Sequence, residues 1–412
     1  MTSEPTAAFV WIWLPGALDP VVAGRLDTVD ERIGFAYATS YLDRLDAVSI
    51  YDAELPLQRG YQYPASGQTS GAPLCIQDAM PDSWGRRLVN YRLNQVTAEL
   101  GDLTYLLESG SDRIGALDFQ ASATDYVPRV VDSATLDDLA TASERIESGQ
   151  PLDPALDAAL LRGTSIGGAR PKALIDAGDR KLIAKFSSTN DMYPVVQGEF
   201  VAMELARRVG LDVAPVELTV AAGRHALLVE RFDRTASGSR RRFVSALTIL
   251  ELTSFPEGRY ATYADLTHKV RAQFANPTST LRELFGRIAF NMMSGNTDDH
   301  GRNHAAFVEH QLVLTPAYDI CPQARSGETA AQAMSYDEHG NRDANLRLLI
   351  EAAHLYLLDP FEARDIVDKQ ESIIREQWAE VCAAAGLTVV ERSGFWGRQF
   401  LNPHAFEGME RS

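Results

Sequence analysis

The spacing of apolar and polar positions changes period along the chain. Near the start, Val10-Trp11-Ile12-Trp13-Leu14 is a continuous apolar run closed by Pro15-Gly16, which predicts a buried strand. Ile33, Phe35 and Tyr37 alternate with Gly34, Ala36 and Ala38, the period of a strand with one buried face. Gly60 to Pro73 is rich in Gly, Pro, Ser and Gln and reads as a loop. Pro81-Asp82-Ser83-Trp84 then opens a helix to about Val96, with Asp82 suiting the helix dipole. Gly115 to Phe119 predicts another strand, and the acidic, Ala- and Leu-rich stretch Asp132 to Leu161 a solvated helical face. Lys172–Asp176, Lys181–Phe186 and His225–Arg231 are strand candidates. A helix from Gly198 to Val209 lies between the last two, with Gly210 placed for a left-handed cap. From about Thr248 the pattern is helical, and Leu281, Leu284, Phe285, Ile288, Ala289 and Met292 recur at three and four residues on a core-facing helix.

This order gives an α+β chain with three expected parts: a β-rich subdomain over 1–105, a second β-rich unit over 106–240, and a helical lobe over 241–412. The 412 residues are 45% apolar and 23% charged, ordinary for a globular protein. No run approaches the ~18 apolar residues of a spanning helix. The first apolar stretch, Ala7 to Pro15, has no basic residue before it and contains two Trp, so it reads as a strand rather than a signal peptide and the expected location is cytoplasmic. Cys75, Cys321 and Cys382 are too few and too far apart for a disulfide framework or a zinc site. The net charge of -17 opposes non-specific grip on nucleic acid by this chain alone.

The densest chemistry lies in Gly295-Asn296-Thr297-Asp298-Asp299-His300-Gly301-Arg302-Asn303-His304. Asp298 and Asn303 have the spacing of the catalytic-loop Asp and metal-binding Asn of protein kinases. Phosphoryl transfer needs one carboxylate to orient the incoming hydroxyl, and hard oxygen ligands for Mg²⁺. Asp319, after the β-like run Val313 to Pro316, is the candidate second ligand, brought to Asn303 by a hairpin. Any one of these Asp residues alone reads as a turn or cap residue; together they point to chemistry. A zinc pair of His300 and His304 is the weaker reading, because H-E-x-x-H is absent and Gly301 weakens a helix. His300 is expected to brace Asp298 within the loop, and His304 to be packed or exposed.

The same chemistry predicts a lysine on an earlier strand and a carboxylate on the next helix, which Lys185 and Glu199 supply. Gly163 to Lys172 is Gly-rich and runs into a strand, although it matches neither standard phosphate-loop pattern. Leu227 to Arg234 leaves the last strand of the β-rich part, where a kinase presents backbone groups to adenine. The basic run Arg231, Arg234, Arg240, Arg241 and Arg242 reads as a solvated hairpin tip, with phosphate docking as the alternative.

These segments resemble the HipA family of bacterial toxin kinases. The resemblance is carried by Met80 to Arg87, Ser165 to Lys172 (Ser-x-Gly-Gly-Ala-x-Pro-Lys), Val229 to Arg234, Asn296 to His304 and Pro316 to Ile320, and it spans nearly the whole chain. It implies a protein-kinase-like two-lobed fold, with a β-rich N-terminal half, an added N-terminal subdomain and an all-helical C-terminal lobe. It implies ATP and Mg²⁺. Asp298 would be the catalytic Asp and Lys185 the phosphate lysine, supported by Glu199. Asn303 and Asp319 would hold the metal. Ser165, Gly167, Gly168, Lys172, Glu230, Phe232, Asp233 and His300 would complete the ATP site, with Ser165 the site of an inactivating autophosphorylation. The implied target is an aminoacyl-tRNA synthetase, and the implied partner a helix-turn-helix, HipB-like antitoxin that brings operator DNA; no membrane partner is expected. Two other readings stay open: a weakly active relative serving as an antitoxin-bound co-repressor, and a metal-dependent hydrolase using Asp298, Asp299, His300 and Asp319.

Overall fold

The computed structural model describes residues 4–29, 32–64, 71–95, 99–129, 134–150, 163–165, 170–188, 190–252, 260–325, 327 and 329–409. The chain forms two compact units, the first from residues 1–189 and 220–244, the second from 190–219 and 245–412. Among the described residues no helix is long and apolar enough to cross a membrane.

The first unit holds one sheet and, apart from Val216 to Thr219 of its edge strand, a second. Strands β1 (Ala7–Ile12), β2 (Val21–Val29), β3 (Arg32–Tyr37), β4 (Tyr61–Gln62) and β5 (Leu117–Gln120) form one, in the order β4-β3-β2-β1-β5. The register pairs Val10 with both Gly24 and Phe119, and buries Val10, Ile12, Leu26, Phe35 and Phe119 completely. Because β5 is the antiparallel partner of β1, this subdomain runs on to Gln120. The expected boundary at 105/106 instead falls inside the helix Asp102–Glu108.

The second sheet has the order β6-β7-β9-β8, from β6 (Lys172–Ala177), β7 (Arg180–Phe186), β8 (Val216–Ala221) and β9 (Arg224–Glu230). One face carries Ala173, Ala184, Phe186, Ala221 and Ala226 against Leu139 of the helix Leu136–Glu147. That helix begins with a capping box between Thr135 and Asp138. Its acidic side is more than a solvated face. Asp137 accepts the Ala222 N–H at 2.7 Å, and Glu144 pairs with Arg224 at 2.8 Å, so two of its carboxylates pin the β8–β9 turn. Residues 132–133 and 151–161 of the predicted acidic stretch lie outside the described residues.

The second unit is mainly helical, with one antiparallel hairpin of Ala305–Val308 and Leu312–Leu314, so the lobe is not all-helical as expected. Its central helix, Pro277–Ser294, buries Leu281, Leu284, Phe285, Ile288, Ala289 and Met292. The helix Val195–Arg208 also belongs here, although the linear division placed it in the β-rich part. It packs with the long helix Pro360–Ala384, where Arg208 reaches Glu380 at 2.8 Å, and Gly198 leaves room for the Phe395 ring. Gly210, at φ +95°, ends it in the left-handed conformation expected.

Candidate active site

The catalytic-loop candidate begins where the helix Pro277–Ser294 is stopped by Gly295, whose φ of +71° favours glycine. A Cβ there would also lie 2.7 Å from the Gln399 carbonyl oxygen. The loop then separates its two adjacent carboxylates. Asp298 is exposed, whereas Asp299 is buried. Asp299 Oδ2 accepts from Asn291 Nδ2 at 2.6 Å, from His304 Nε2 at 3.0 Å and from the Tyr263 hydroxyl. Asn296 Nδ2 donates in turn to Asn291 Oδ1 at 3.0 Å. Burial pushes the Asp299 carboxyl up, but His304 and the Tyr263 hydrogen bond outweigh it and hold the group below its ordinary value. Asp299 is therefore an internal anchor, and its three donors leave it unsuited to the hydrolase role considered for it. His304 is packed on the same anchor, with the Tyr263 ring edge-on at 5.3 Å.

Gly301 to Asn303 form a short 3-10 turn, and a Cβ on Gly301 would lie 2.8 Å from Leu247. This turn aims Asn303 Nδ2 at the Asp298 carbonyl oxygen, 3.3 Å away. The amide nitrogen is thus engaged, and an amide oxygen is a hard donor of the kind a divalent cation takes. Asp319 follows the hairpin. It is fixed on one side by Ala317, which donates to the Asp212 carbonyl at 2.7 Å, and by the Tyr318 hydroxyl, which donates to the Arg302 carbonyl at 2.6 Å. Asp319 itself has φ +60°, a left-handed conformation that non-glycine residues adopt at a cost and that clusters at functional sites. Asp298 is pushed above its ordinary value, first by desolvation and then by the charges of Asp319 and Asp299, while nearby His300 opposes the shift. A carboxylate raised by its carboxylate neighbours, beside an amide oxygen, makes a donor set that fits a hard divalent cation.

In the first unit, β6 and β7 pair with Lys172 directly opposite Lys185. Directly opposed residues share a face, so both lysines lie on the face away from the Leu136–Glu147 helix. Leu227, the partner of Lys185 on β9, joins them there. Two cations beside an apolar strip suit a ligand that is part aromatic and part phosphate. Glu230 is opposite Leu182, on the other face, so only its backbone is placed to meet such a ligand. Phe232 stacks on Phe243 at 6.5 Å. Glu199 is buried in the first half of its helix, in the second unit, whereas Lys185 is in the first. Gly167 and Gly168 lie outside the described residues. Ser165 is only 3% exposed and its hydroxyl donates to the Asp112 carbonyl at 2.9 Å.

Asp233 and its neighbouring arginines differ from expectation. Asp233 is 1% exposed and takes Arg231 Nε at 3.0 Å, Arg234 at 2.7 Å and the Gly115 N–H at 2.7 Å. It is an internal clamp, its two oxygens already taking four donors. Arg231 is buried, the Arg234 side chain is nearly so, and Arg240 lies 3.4 Å over the Trp13 ring, so these three arginines are not a solvated tip. Burial pushes the Asp233 carboxyl up, but Arg231 and Arg234 pull it down to about 2. A depressed carboxyl contributes stability that is complete above its unfolded value of ~3.9 and is lost as pH falls through the folded value. Asp233→Asn is expected to cost about 3–5 kcal/mol at neutral pH. Unfolding curves should show that gap to the parent narrowing, by at most about 2.6 kcal/mol, between pH ~4 and the folded value.

With this geometry in hand, comparison with known proteins is decisive. The profile of the HipA-like C-terminal domain matches residues 164–385, and that of the HipA N-terminal domain residues 16–120. The chain belongs to the HipA family. The N-terminal match ends with β5 and the C-terminal match begins at Thr164, beside Ser165. Y4mE of Sinorhizobium fredii, provisionally named a kinase, is 29% identical over 321 residues, 70% of this chain and 71% of its own. The serine/threonine-protein kinase toxin HipA of Shewanella oneidensis is 29% identical over 157 residues, 34% of this chain and 36% of its own. A solved Shewanella oneidensis structure, described as HipA, HipB and their operator DNA complex, shares the fold. It has a TM-score of 0.69 and 19% identity over 92% of each chain.

Proposed function

We propose that this HipA-family chain is an ATP- and Mg²⁺-dependent serine/threonine protein kinase, acting as the toxin of a toxin–antitoxin pair and phosphorylating an aminoacyl-tRNA synthetase. The observation that carries the reading is the set Asp298, Asn303 and Asp319: a loop carboxylate raised by its neighbours, an amide whose nitrogen is tied to the Asp298 carbonyl, and a second carboxylate on strained backbone. Bound ATP supplies the phosphoryl group, and Mg²⁺ screens its charge. Asp298 orients the substrate hydroxyl and accepts its proton. Asn303 and Asp319 are the cation ligands, and His300 tempers the charge on Asp298. Lys185, with Lys172 opposite it, is assigned to the phosphates, and the backbone of Glu230 to the adenine edge. A HipB-like helix-turn-helix antitoxin that carries operator DNA is the assigned partner. The likeness to a HipA chain described with both supports this, as does the net charge of -17, which leaves DNA grip to a basic partner. The test is transfer of labelled phosphate from ATP to a panel of purified synthetases. No labelling of any protein, with ATP bound, would favour the co-repressor reading.

Ser165 is assigned as the autophosphorylation site. Its hydroxyl is seated against the Asp112 carbonyl, so modification requires the loop to leave that seat. A phosphate adds about -1.5 to -2 charge and removes the donated proton, so the modified loop does not return. Incubation with Mg²⁺-ATP should give slow phosphorylation at Ser165, mapped by mass spectrometry, with activity declining in step. A Ser165-phosphorylated form with full activity contradicts the assignment.

A further inference from the structure

The buried arginines of the Val229–Arg234 segment have no part in the reaction assigned above, and they converge on a short stretch, Gly110 to Gly115, with no assigned role. Arg231 and Arg234 reach the Asp112 carboxylate at 2.9 and 2.6 Å, and both donate to the Arg113 carbonyl, at 2.7 and 2.6 Å. Asp233 and Arg234 take the N–H and the carbonyl of Gly115. This side of the stretch thus grips the chain as it leaves β9.

The other side grips the entrance of the Gly-rich loop. The Gly110 N–H donates to Thr164 Oγ1 at 2.8 Å, and Ser165 Oγ donates to the Asp112 carbonyl at 2.9 Å. Thr164 is wholly buried. The helix Ser83–Arg92 closes the seat from below. Trp84 Nε1 donates to the Lys172 carbonyl at 3.1 Å, and a Cβ on Gly85 would lie 2.6 Å from the Thr164 carbonyl oxygen.

We propose that Asp112 is a positioning residue for nucleotide binding, whose segment sets the loop entrance at Thr164-Ser165 and the β9 exit at Arg231–Arg234 as one rigid piece. The inference rests on the kinase reading for its ligand. A nucleotide spans from phosphates at the loop to adenine at the strand exit, so fixing both ends with one bracket organises the site before binding. In this scheme the N-terminal subdomain, through the Ser83–Arg92 helix and the stretch after Glu108, is part of the frame of the nucleotide site.

The test uses the full chain with Asp112→Asn, Thr164→Val and the double variant. Each single change is expected to weaken Mg²⁺-ATP binding by about tenfold, the equivalent of one hydrogen bond lost. KM for ATP should rise while kcat at saturation is kept, and amide exchange should quicken over 163–172. The double variant should fall short of the product of the singles, because both changes release the same bracket. Asp112→Glu, which keeps the charge, should recover part of the affinity. Asp112→Asn leaves buried arginines short of a partner and is at risk of misfolding. Thr164→Val touches no ion pair and tests the same seat alone. A Thr164→Val protein with parental ATP affinity and parental exchange over the loop overturns the proposal, as does full additivity of the two changes. If the parent itself binds no Mg²⁺-ATP, the kinase reading falls; loop exchange in the variants then still decides whether the bracket exists.

Discussion

Asp298→Asn should abolish nearly all phosphoryl transfer while leaving ATP binding intact. The side chain is exposed on its loop, and the surrounding structure holds the Asp298 backbone, through Asn303, rather than its carboxylate. An amide of the same size therefore disturbs little of the fold. It cannot accept the substrate proton, and loss of a general base costs about 10²- to 10⁴-fold. Single-turnover transfer measured beside ATP affinity checks both halves of the expectation. Transfer at the parental rate removes Asp298 from the mechanism, and loss of ATP binding makes it a structural residue.

Asp319→Ala should act through the metal. One anionic oxygen is lost from the Asn303–Asp319 pair, so the Mg²⁺ concentration for half-maximal turnover should rise on the order of 10²-fold, with collapse of the rate at ordinary Mg²⁺. The backbone offers a sharper comparison. At φ +60°, Asp319 is held in a conformation glycine adopts freely. Asp319→Gly is thus expected to be as inactive as the alanine variant, yet to melt no lower than the parent, because it relieves strain of about 1 kcal/mol. Melting temperature and Mg²⁺ titration on the two variants separate the roles. An unchanged Mg²⁺ dependence would reduce Asp319 to a turn residue.

The parts of this molecule that were legible in the sequence share one property: their signal is local. Asp298 and Asn303 sit on a single loop, so their spacing was readable, and the Pro277–Ser294 helix carried its own period. β7 and β9 were found from their apolar runs. β8 alternates Val216, Leu218 and Val220 with Glu217 and Thr219, but lies on the sheet edge and has only Ala221 fully buried, so its signal was diluted. What escaped depends on distant partners. Charge on Arg231 and Arg234 was visible, but their burial was not, because Asp112 lies 119 residues before Arg231. The Asp299 anchor draws Tyr263 from 36 residues away, with no pattern to announce it. Asp233 was read as a ligand contact because a motif shows that a carboxylate occurs, and only the fold shows what occupies it.

The Gly295 turn has a further consequence. It is pressed against Gln399, and close by Leu401 donates to the Met293 carbonyl at 2.7 Å. The residues that back the candidate catalytic loop thus come from a segment far beyond it in the chain. A chain that stops short of Phe395 would keep Asp298, Asn303 and Asp319 but lack the wedge that sets their loop. Chains cut just before Phe395 should be inert even though every assigned catalytic residue is present.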